Sequence, residues 1–119
     1  MGSRPEEMRD RTKTFALRVI RLFRVLPYRT DSQVLGKQLL RAGTAVAANY
    51  RAACRARSRA ESIARIGVVA EEADEAVLWL ELLIESGMIR AELAERLLAE
   101  ARELAAIFTA SQQTVKSAA

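Results

Sequence analysis

The segment from Ile63 to Ile84 carries apolar residues at alternating steps of three and four, which is the spacing of one face of an α-helix. The residues of this stripe are Ile63, Ile66, Ala70, Ala73, Val77, Leu80 and Ile84. Between Ala76 and Ile84, however, only Glu81 is polar, so large apolar side chains also fall outside the stripe. A helix that is apolar on all sides is buried on all sides. The segment therefore predicts a helix whose stripe faces a core and whose other side is buried against a second surface.

Three other segments show helical periodicity, and the chain of 119 residues contains only 5 glycines and 2 prolines. A composition rich in alanine, leucine, arginine and glutamate is typical of helical proteins. We predict four helices, over residues 7–26, 32–55, 59–86 and 91–115. Short connections make consecutive helices antiparallel, so the predicted fold is all-α: one domain, residues 1–119, forming an up-down-up-down antiparallel four-helix bundle.

The apolar stripes of the first, second and fourth helices predict the rest of the core. These residues are Phe15, Val19, Leu22 and Leu26, then Leu35, Leu39, Ala42, Val46 and Ala53, and finally Leu93, Leu97, Ala101, Leu104 and Phe108. Gly36 and Gly43 lie on the second helix, where the missing side chain lets a neighbouring helix approach closely.

Capping residues mark several helix ends. Thr30 with Gln33, and Ser58 with Glu61, have the spacing of a capping box, in which the first side chain accepts a hydrogen bond from the later amide. Gly87 follows the last periodic residues of the third helix and is expected to end it.

The surplus apolar side chains of the third helix predict self-association. Leu78, Trp79, Leu82 and Leu83 fall outside the stripe described above. A monomeric four-helix bundle cannot bury them as well as the stripe. We therefore predict a homo-oligomer in which these four residues form a subunit interface.

Four arginines, Arg51, Arg55, Arg57 and Arg59, lie within nine residues. The chain carries 15 basic and 5 acidic residues up to position 65, but 4 basic and 10 acidic residues after it. Such asymmetry predicts either a nucleic-acid partner or basic and acidic helices that face each other, within or between chains. The first three arginines lie near a helix C-terminus, which favours cations, whereas Arg59 opens a helix and so points most directly to an external anion.

The residue types limit the chemistry. The chain has no histidine, which removes most zinc sites and the Ser-His and Cys-His nucleophile systems. The lone Cys54 lies among alanines on a helix, so we expect a small buried side chain instead of a nucleophile. We therefore expect no enzyme activity, no catalytic residue and no cofactor.

The middle of the third helix carries four acidic residues, Glu71, Glu72, Asp74 and Glu75. A straight helix presents too few of their oxygens to one point for a magnesium or calcium site, so we expect no metal. Pairing with arginines is the favoured alternative. The candidate partners are Arg18, Arg21 and Arg24 of the first helix, or arginines of a neighbouring subunit.

Hydropathy and cysteine content bear on location. No apolar run approaches the ~20 residues that cross a bilayer, so we expect no membrane partner. The first residues, MGSRPEEMRDR, contain no apolar stretch of the kind found in a secretory signal. A single cysteine cannot form an internal disulfide, which favours the reducing cytoplasm.

Three runs of sequence resemble a bacterial family. They are AVAANYRAA at 45–53, RSR at 57–59 and EADEAVLWLELL at 72–83. In combination they are similar to the four-helix bundle proteins related to the 23S ribosomal RNA intervening-sequence protein. That family resembles in turn the accessory variability determinant of diversity-generating retroelements, a basic pentameric barrel that binds nucleic acid and a reverse transcriptase. The resemblance implies a ring of five subunits.

The resemblance also identifies motif positions, for which we expect structural roles. Asn49 and Tyr50 belong to the first run, Ser58 to the second, and Glu72 and Glu75 to the third. We expect Asn49 to bond across two helices, and Tyr50 to pack with its hydroxyl at the rim of the bundle.

Two functional hypotheses remain open at this level. In the first, the chain is a non-catalytic nucleic-acid-binding or adaptor protein whose arginine cluster contacts the phosphates of RNA or DNA. In the second, it is a structural or protein-interaction module, in which the same arginines pair with the acidic residues of the third helix across subunits. A protein partner is compatible with both hypotheses.

Overall fold

The computed structural model describes residues 5–117. It contains four helices: α1 (Pro5–Arg24), α2 (Thr30–Cys54), α3 (Arg59–Glu85) and α4 (Ala91–Ser117). Each end lies within two residues of its predicted position. The bundle measures 47 × 21 × 20 Å, so it is about twice as long as it is wide.

The helices pack in chain order, α1 on α2, α2 on α3 and α3 on α4, and a less extensive contact between α1 and α4 closes the bundle. The predicted four-helix bundle is therefore confirmed. The start of α1, the end of α2, the start of α3 and the end of α4 share one end, which we call the basic end because Arg51 to Arg59 lie there. The opposite end, with the α1–α2 and α3–α4 connections, is the distal end.

The core runs the length of the bundle. Its largest fully buried apolar side chains are Phe15, Val19, Leu39, Val46, Val69, Leu80, Leu83, Leu104 and Phe108. The predicted stripes of α1 and α2 are buried except for Leu35, which is half-buried. On α4 the prediction fails at Leu93, which is 56% exposed because it lies in the first turn, beside the open seam between α1 and α4.

The core-facing side of α3 differs from the predicted stripe. Ala76 and Leu83 are fully buried, whereas Val77 and Ile84 are only half-buried. Helix α3 packs between α2 and α4, so its buried side faces the space between these two helices. Because the segment is apolar on every side, the sequence does not show which side this is. The prediction that Leu83 lines a subunit interface is therefore wrong, because this side chain belongs to the core of its own chain.

The helix ends follow the predicted chemistry at two of three sites. The Ser58 hydroxyl accepts a hydrogen bond from the Glu61 amide at 3.1 Å, and Gly87 ends α3 with a positive φ of 79°. The predicted Thr30 cap is wrong, because Thr30 is already the first helical residue. Its capping partner Gln33 instead donates from Nε2 to the carbonyl oxygen of Pro27, at 3.2 Å.

Helices α1 and α2 approach each other closely at Gly43. A Cβ atom at this position would lie 2.8 Å from Cγ2 of Val19, closer than carbon atoms pack. Gly36 has the same role about two turns earlier, opposite Phe23 and Leu26. These contacts fix the register in which the start of α1 lies beside the end of α2.

Across residues 5–117, no helix combines the length and the hydropathy that a membrane span requires.

Candidate nucleic-acid interface

Basic side chains line two hollows between α1 and α2 at the basic end, which share Arg9 and Arg51 and which together we call the α1/α2 groove. One part, of about 450 Å³, is bordered by Arg9, Lys13 and Arg51, with small side chains such as Ala47 on its floor. The adjoining part, of about 390 Å³, is bordered by Arg9, Arg51, Cys54 and Arg55. Asp10 is the one acidic residue that lines either part.

The four cations of this groove are available to a ligand. Arg9, Lys13, Arg51 and Arg55 form no ion pair with any other residue between 5 and 117. Arg51 and Arg55, one turn apart, point to the same side of α2, and the packing register brings Arg9 of α1 opposite them. The sequence had identified the two α2 arginines but not Arg9 or Lys13.

Arg57 and Arg59 have different surroundings. Arg57 is exposed in the connection between α2 and α3. Arg59 donates from Nη2 to the carbonyl oxygen of Val115, at 3.3 Å, near the C-terminus of α4. This contact gives Arg59 a structural role that the sequence did not reveal, since a cation there satisfies a carbonyl and the helix dipole.

The motif residues Asn49 and Tyr50 tie the end of α2 to α3 and α4. Asn49 Oδ1 accepts from Arg65 Nη1 of α3 at 3.2 Å, while its Nδ2 donates to the Ala45 carbonyl. The Tyr50 ring packs on Phe108, with 5.4 Å between ring centroids. Both side chains therefore anchor the end of α2.

The Tyr50 hydroxyl lies close enough to Cys54 and Arg9 to interact with both. Burial and a hydrogen bond with the Cys54 thiol raise the pKa of Tyr50 to about 12, although the positive charge of Arg9 opposes this shift. Cys54 itself is exposed, so the expectation that it is buried is wrong. As the last residue of α2, it borders the open hollow that Arg9, Arg51 and Arg55 also line.

The acidic residues of α3 pair within the chain, but not with the predicted arginines of α1. A guanidinium nitrogen of Arg41 on α2 lies 3.0 Å from a carboxylate oxygen of Glu72, and Arg41 also bonds to Glu75. These hydrogen bonds raise the pKa of the Arg41 guanidinium. Glu75 also accepts a hydrogen bond from Trp79 Nε1 at 3.1 Å. Glu71 and Asp74 have no ion-pair partner among residues 5–117.

Two further ion-pair groups tie α4 to its neighbours. Arg11 of α1 forms a bidentate pair with Glu100 and also contacts Glu103, each at 2.8 Å. Arg102 of α4 holds Glu81 of α3 at 2.9 Å. Within the described part of the chain, no three acidic or cysteine side chains converge in a way that could hold a metal ion.

Comparison with known proteins places the chain in a family. The family model described as 23S rRNA-intervening sequence protein matches residues 6–110. The chain belongs to the 23S rRNA-intervening sequence protein family. A crystal structure of a protein of unknown function from the S23 ribosomal protein family of Bacteroides thetaiotaomicron has a TM-score of 0.83 and 32% identity. The similarity covers 92% of this chain and 97% of that one. Among curated proteins, none matches significantly.

This member of the intervening-sequence family exposes part of the predicted subunit interface. Leu78 is 46% exposed and Leu82 is 39% exposed, on the outer side of α3. Trp79 is half-buried and packs against the core. Of the four predicted interface residues, Leu78 and Leu82 thus present apolar surface to solvent, Trp79 lies at its edge, and Leu83 is buried.

Proposed function

We propose that this chain is a non-catalytic, cytoplasmic nucleic-acid-binding protein that acts as an oligomer. The groove between α1 and α2 would hold the sugar–phosphate backbone, with Arg9, Lys13, Arg51 and Arg55 on its walls, and the exposed Arg57, two residues after Arg55, would add a further contact. The observation that carries the proposal is the convergence of four unpaired cations from two helices on one groove.

The chemistry of the groove favours phosphate over base recognition. Arginine guanidinium groups bind phosphate oxygens in a fixed geometry, and such contacts supply affinity without sequence choice. The small floor residues Ala47 and Ala48 leave room for a backbone but offer no hydrogen bonds to base edges. Neither lining contains an aromatic side chain on which a base could stack.

The alternative function, an interaction module whose arginine cluster pairs with α3 acids across subunits, has less support. Glu72 and Glu75 are already held by Arg41 of the same chain. Only Glu71 and Asp74 remain of the four acids that the alternative requires. The name of the family points in the same direction, because it refers to an RNA insertion.

Self-association is part of the proposal. The exposed Leu78 and Leu82, with Trp79 beside them, form an apolar surface on α3 that a second subunit would cover. A ring of five subunits, which the family resemblance implies, would multiply the weak phosphate contacts of each groove through avidity.

Titration of binding against salt tests the nucleic-acid proposal. Wild-type protein and the variants Arg51→Ala and Arg55→Ala would be titrated with RNA and DNA of several sequences, at several salt concentrations. Each variant should weaken binding to all sequences alike and reduce the slope of log Kobs against log salt by about one. Lys37→Ala is the matched control, since Lys37 is an exposed cation on the same helix toward the distal end and forms no ion pair with residues 5–117.

The control variant should bind as the wild type does. Equal losses for Lys37→Ala and Arg51→Ala would show that net charge alone, and not the groove, attracts the nucleic acid. An unchanged affinity and slope for Arg51→Ala and Arg55→Ala would overturn the proposal.

A further inference from the structure

A second groove lies open between α1 and α4, toward the distal end. Its volume is about 330 Å³, and the buried side chains of Leu22 and Leu97 form its floor. Val25 and Leu93 at its edges are 63% and 56% exposed. The groove exists because α1 and α4 form the least extensive of the four helix contacts.

The rim of this groove is basic. Arg18 and Arg21 on α1 and Arg96 on α4 line it, together with one acidic residue, Glu92. The three arginines form no ion pairs with residues 5–117. The groove therefore presents apolar surface framed by positive charge that nothing in the described chain neutralises.

The outer side of α3 has the opposite character. Leu78 and Leu82 are one turn apart and exposed, and acidic residues precede and follow them on the same side. Those acids are Glu71, Asp74 and Glu85, which form no ion pairs within residues 5–117. No basic residue occurs on α3 after Arg65. This α3 surface therefore matches the groove in both hydrophobicity and charge.

We propose that the α3 surface of one copy docks in the α1/α4 groove of the next copy. Leu78 and Leu82 would enter the groove, and the flanking carboxylates would meet its arginine rim, as an amphipathic helix binds a hydrophobic groove. The inference rests on the self-association in the proposed function and identifies the two surfaces that form the contact.

Charge selects this pairing over the symmetric one. A two-fold contact between two α3 surfaces would bring carboxylates against carboxylates, and one between two grooves would bring arginines against arginines. The contact is therefore heterologous, with unlike surfaces meeting. The groove lies on the α1/α4 side of the bundle. The α3 surface lies at the outer corner that α3 forms between its contacts with α2 and α4, so the two surfaces do not point in opposite directions. Successive copies therefore turn, and such contacts close into a ring when the rotation returns to the first copy without a rise.

Both surfaces lie toward the distal end of the same subunit. Leu82 is in the last turns of α3, Leu93 is in the first turn of α4, and Val25 directly follows α1. Docking them brings neighbouring distal ends to the same level, with the copies side by side and the same way up. All the basic ends then lie on one side of the ring.

A mixing experiment tests this pairing. Variant one, Leu78→Asp with Leu82→Asp, removes the α3 surface, and variant two, Val25→Asp with Leu93→Asp, removes the groove edges. All four positions are exposed, so circular dichroism should show intact helices in both variants. Mass would be measured by light scattering for the wild type, each variant and their equimolar mixture. Tyr28→Asp, at a 99% exposed position outside both surfaces, is the control.

We expect the wild type and the control to assemble, and each variant alone to be monomeric. The mixture should form particles of two chains, because the intact groove of variant one accepts the intact α3 surface of variant two. No third chain can add, since the remaining free surface of each partner is the altered one. The fluorescence of Trp79, the single tryptophan, should shift to shorter wavelength in the mixture, since it lies beside the buried surface.

Other outcomes overturn the inference in distinguishable ways. An assembled wild type whose variants stay monomeric when mixed would show that the two surfaces do not bind each other. A variant that assembles alone would show that its altered surface is not required. A monomeric wild type at micromolar concentration would refute self-association itself. Nucleic-acid binding, measured separately, would still decide the proposal on the α1/α2 groove.

Discussion

The guanidinium of Arg41 on α2 lies 3.0 Å from the carboxylate of Glu72 on α3, and it also bonds to Glu75 one turn further. This pairing occupies two of the four acids in the middle of α3, namely Glu72 and Glu75 of the set Glu71, Glu72, Asp74 and Glu75. Part of the charge asymmetry is thus neutralised between neighbouring helices of the same chain, whereas Arg9, Arg51 and Arg55 form no ion pair within residues 5–117.

Arg41→Ala should lower the free energy of unfolding by about 1 kcal/mol or less, because the pair is largely exposed and screened by water. High salt should remove most of the difference from the wild type. Urea denaturation at low and high salt measures both effects. Lys37→Ala, which removes an unpaired cation from the same helix, should leave stability unchanged. An effect as large in high salt as in low salt would show that Arg41 acts by packing.

Gly43→Ala should destabilise the bundle by roughly 1–3 kcal/mol through overpacking, partly offset by the higher helix propensity of alanine. The added methyl would meet all three carbons of the short, branched side chain of Val19, which is fully buried and cannot move aside. Gly67→Ala is the matched control, because its methyl would meet only the flexible end of Gln112. Thermal melting should show a lower Tm for the first variant and an equal or higher one for the second. Equal Tm values would contradict the tight approach of α1 and α2.

Tyr50 should make stability fall at high pH. The unfolded tyrosine ionises near pH ~10, whereas burial and the Cys54 thiol hold the pKa of the folded residue at about 12. Between these values the unfolded chain has released a proton that the folded chain keeps, so stability decreases as pH rises and is intact below this window. Urea midpoints at about pH 9 and about pH 11 should differ more for the wild type than for Tyr50→Phe. The same drop in both proteins would assign it to other groups.

Arg59→Ala should affect α4 more than nucleic-acid binding. Because Arg59 donates to the Val115 carbonyl, its loss should increase amide hydrogen exchange in the last turns of α4. Its effect on the salt dependence of binding should be smaller than that of Arg55→Ala, whose side chain lines the groove. The reverse order would show that Arg59 leaves Val115 to contact phosphate.

Helical periodicity located the ends of the four helices to within two residues, because the loops between the periodic segments are short. It placed the core of α1 correctly, where polar residues alternate with apolar ones. It failed on α3, since Val77, Leu80 and Leu83 are equally apolar and only the positions of α2 and α4 decide which are buried. The partners of Glu72 and Glu75 were also beyond the sequence, because Arg41 is brought to them by the register of α2 on α3.

The basic cluster was visible as a run of arginines, but the groove was not. Arg9 and Lys13 join Arg51 and Arg55 only through the packing of α1 on α2. Exposed Leu93 likewise continues the apolar stripe of α4, and nothing in the stripe shows that α1 leaves its first turn uncovered. Contacts between distant segments are set by helix–helix geometry, which a single sequence does not specify.

The groove between α1 and α2 runs along the side of a rod 47 Å long and 21 by 20 Å in section, and its cations lie in the half of the rod nearest the basic end. A strand held in this groove leaves the distal half of the subunit, including the α1/α4 groove, clear of the nucleic acid and open to neighbouring subunits.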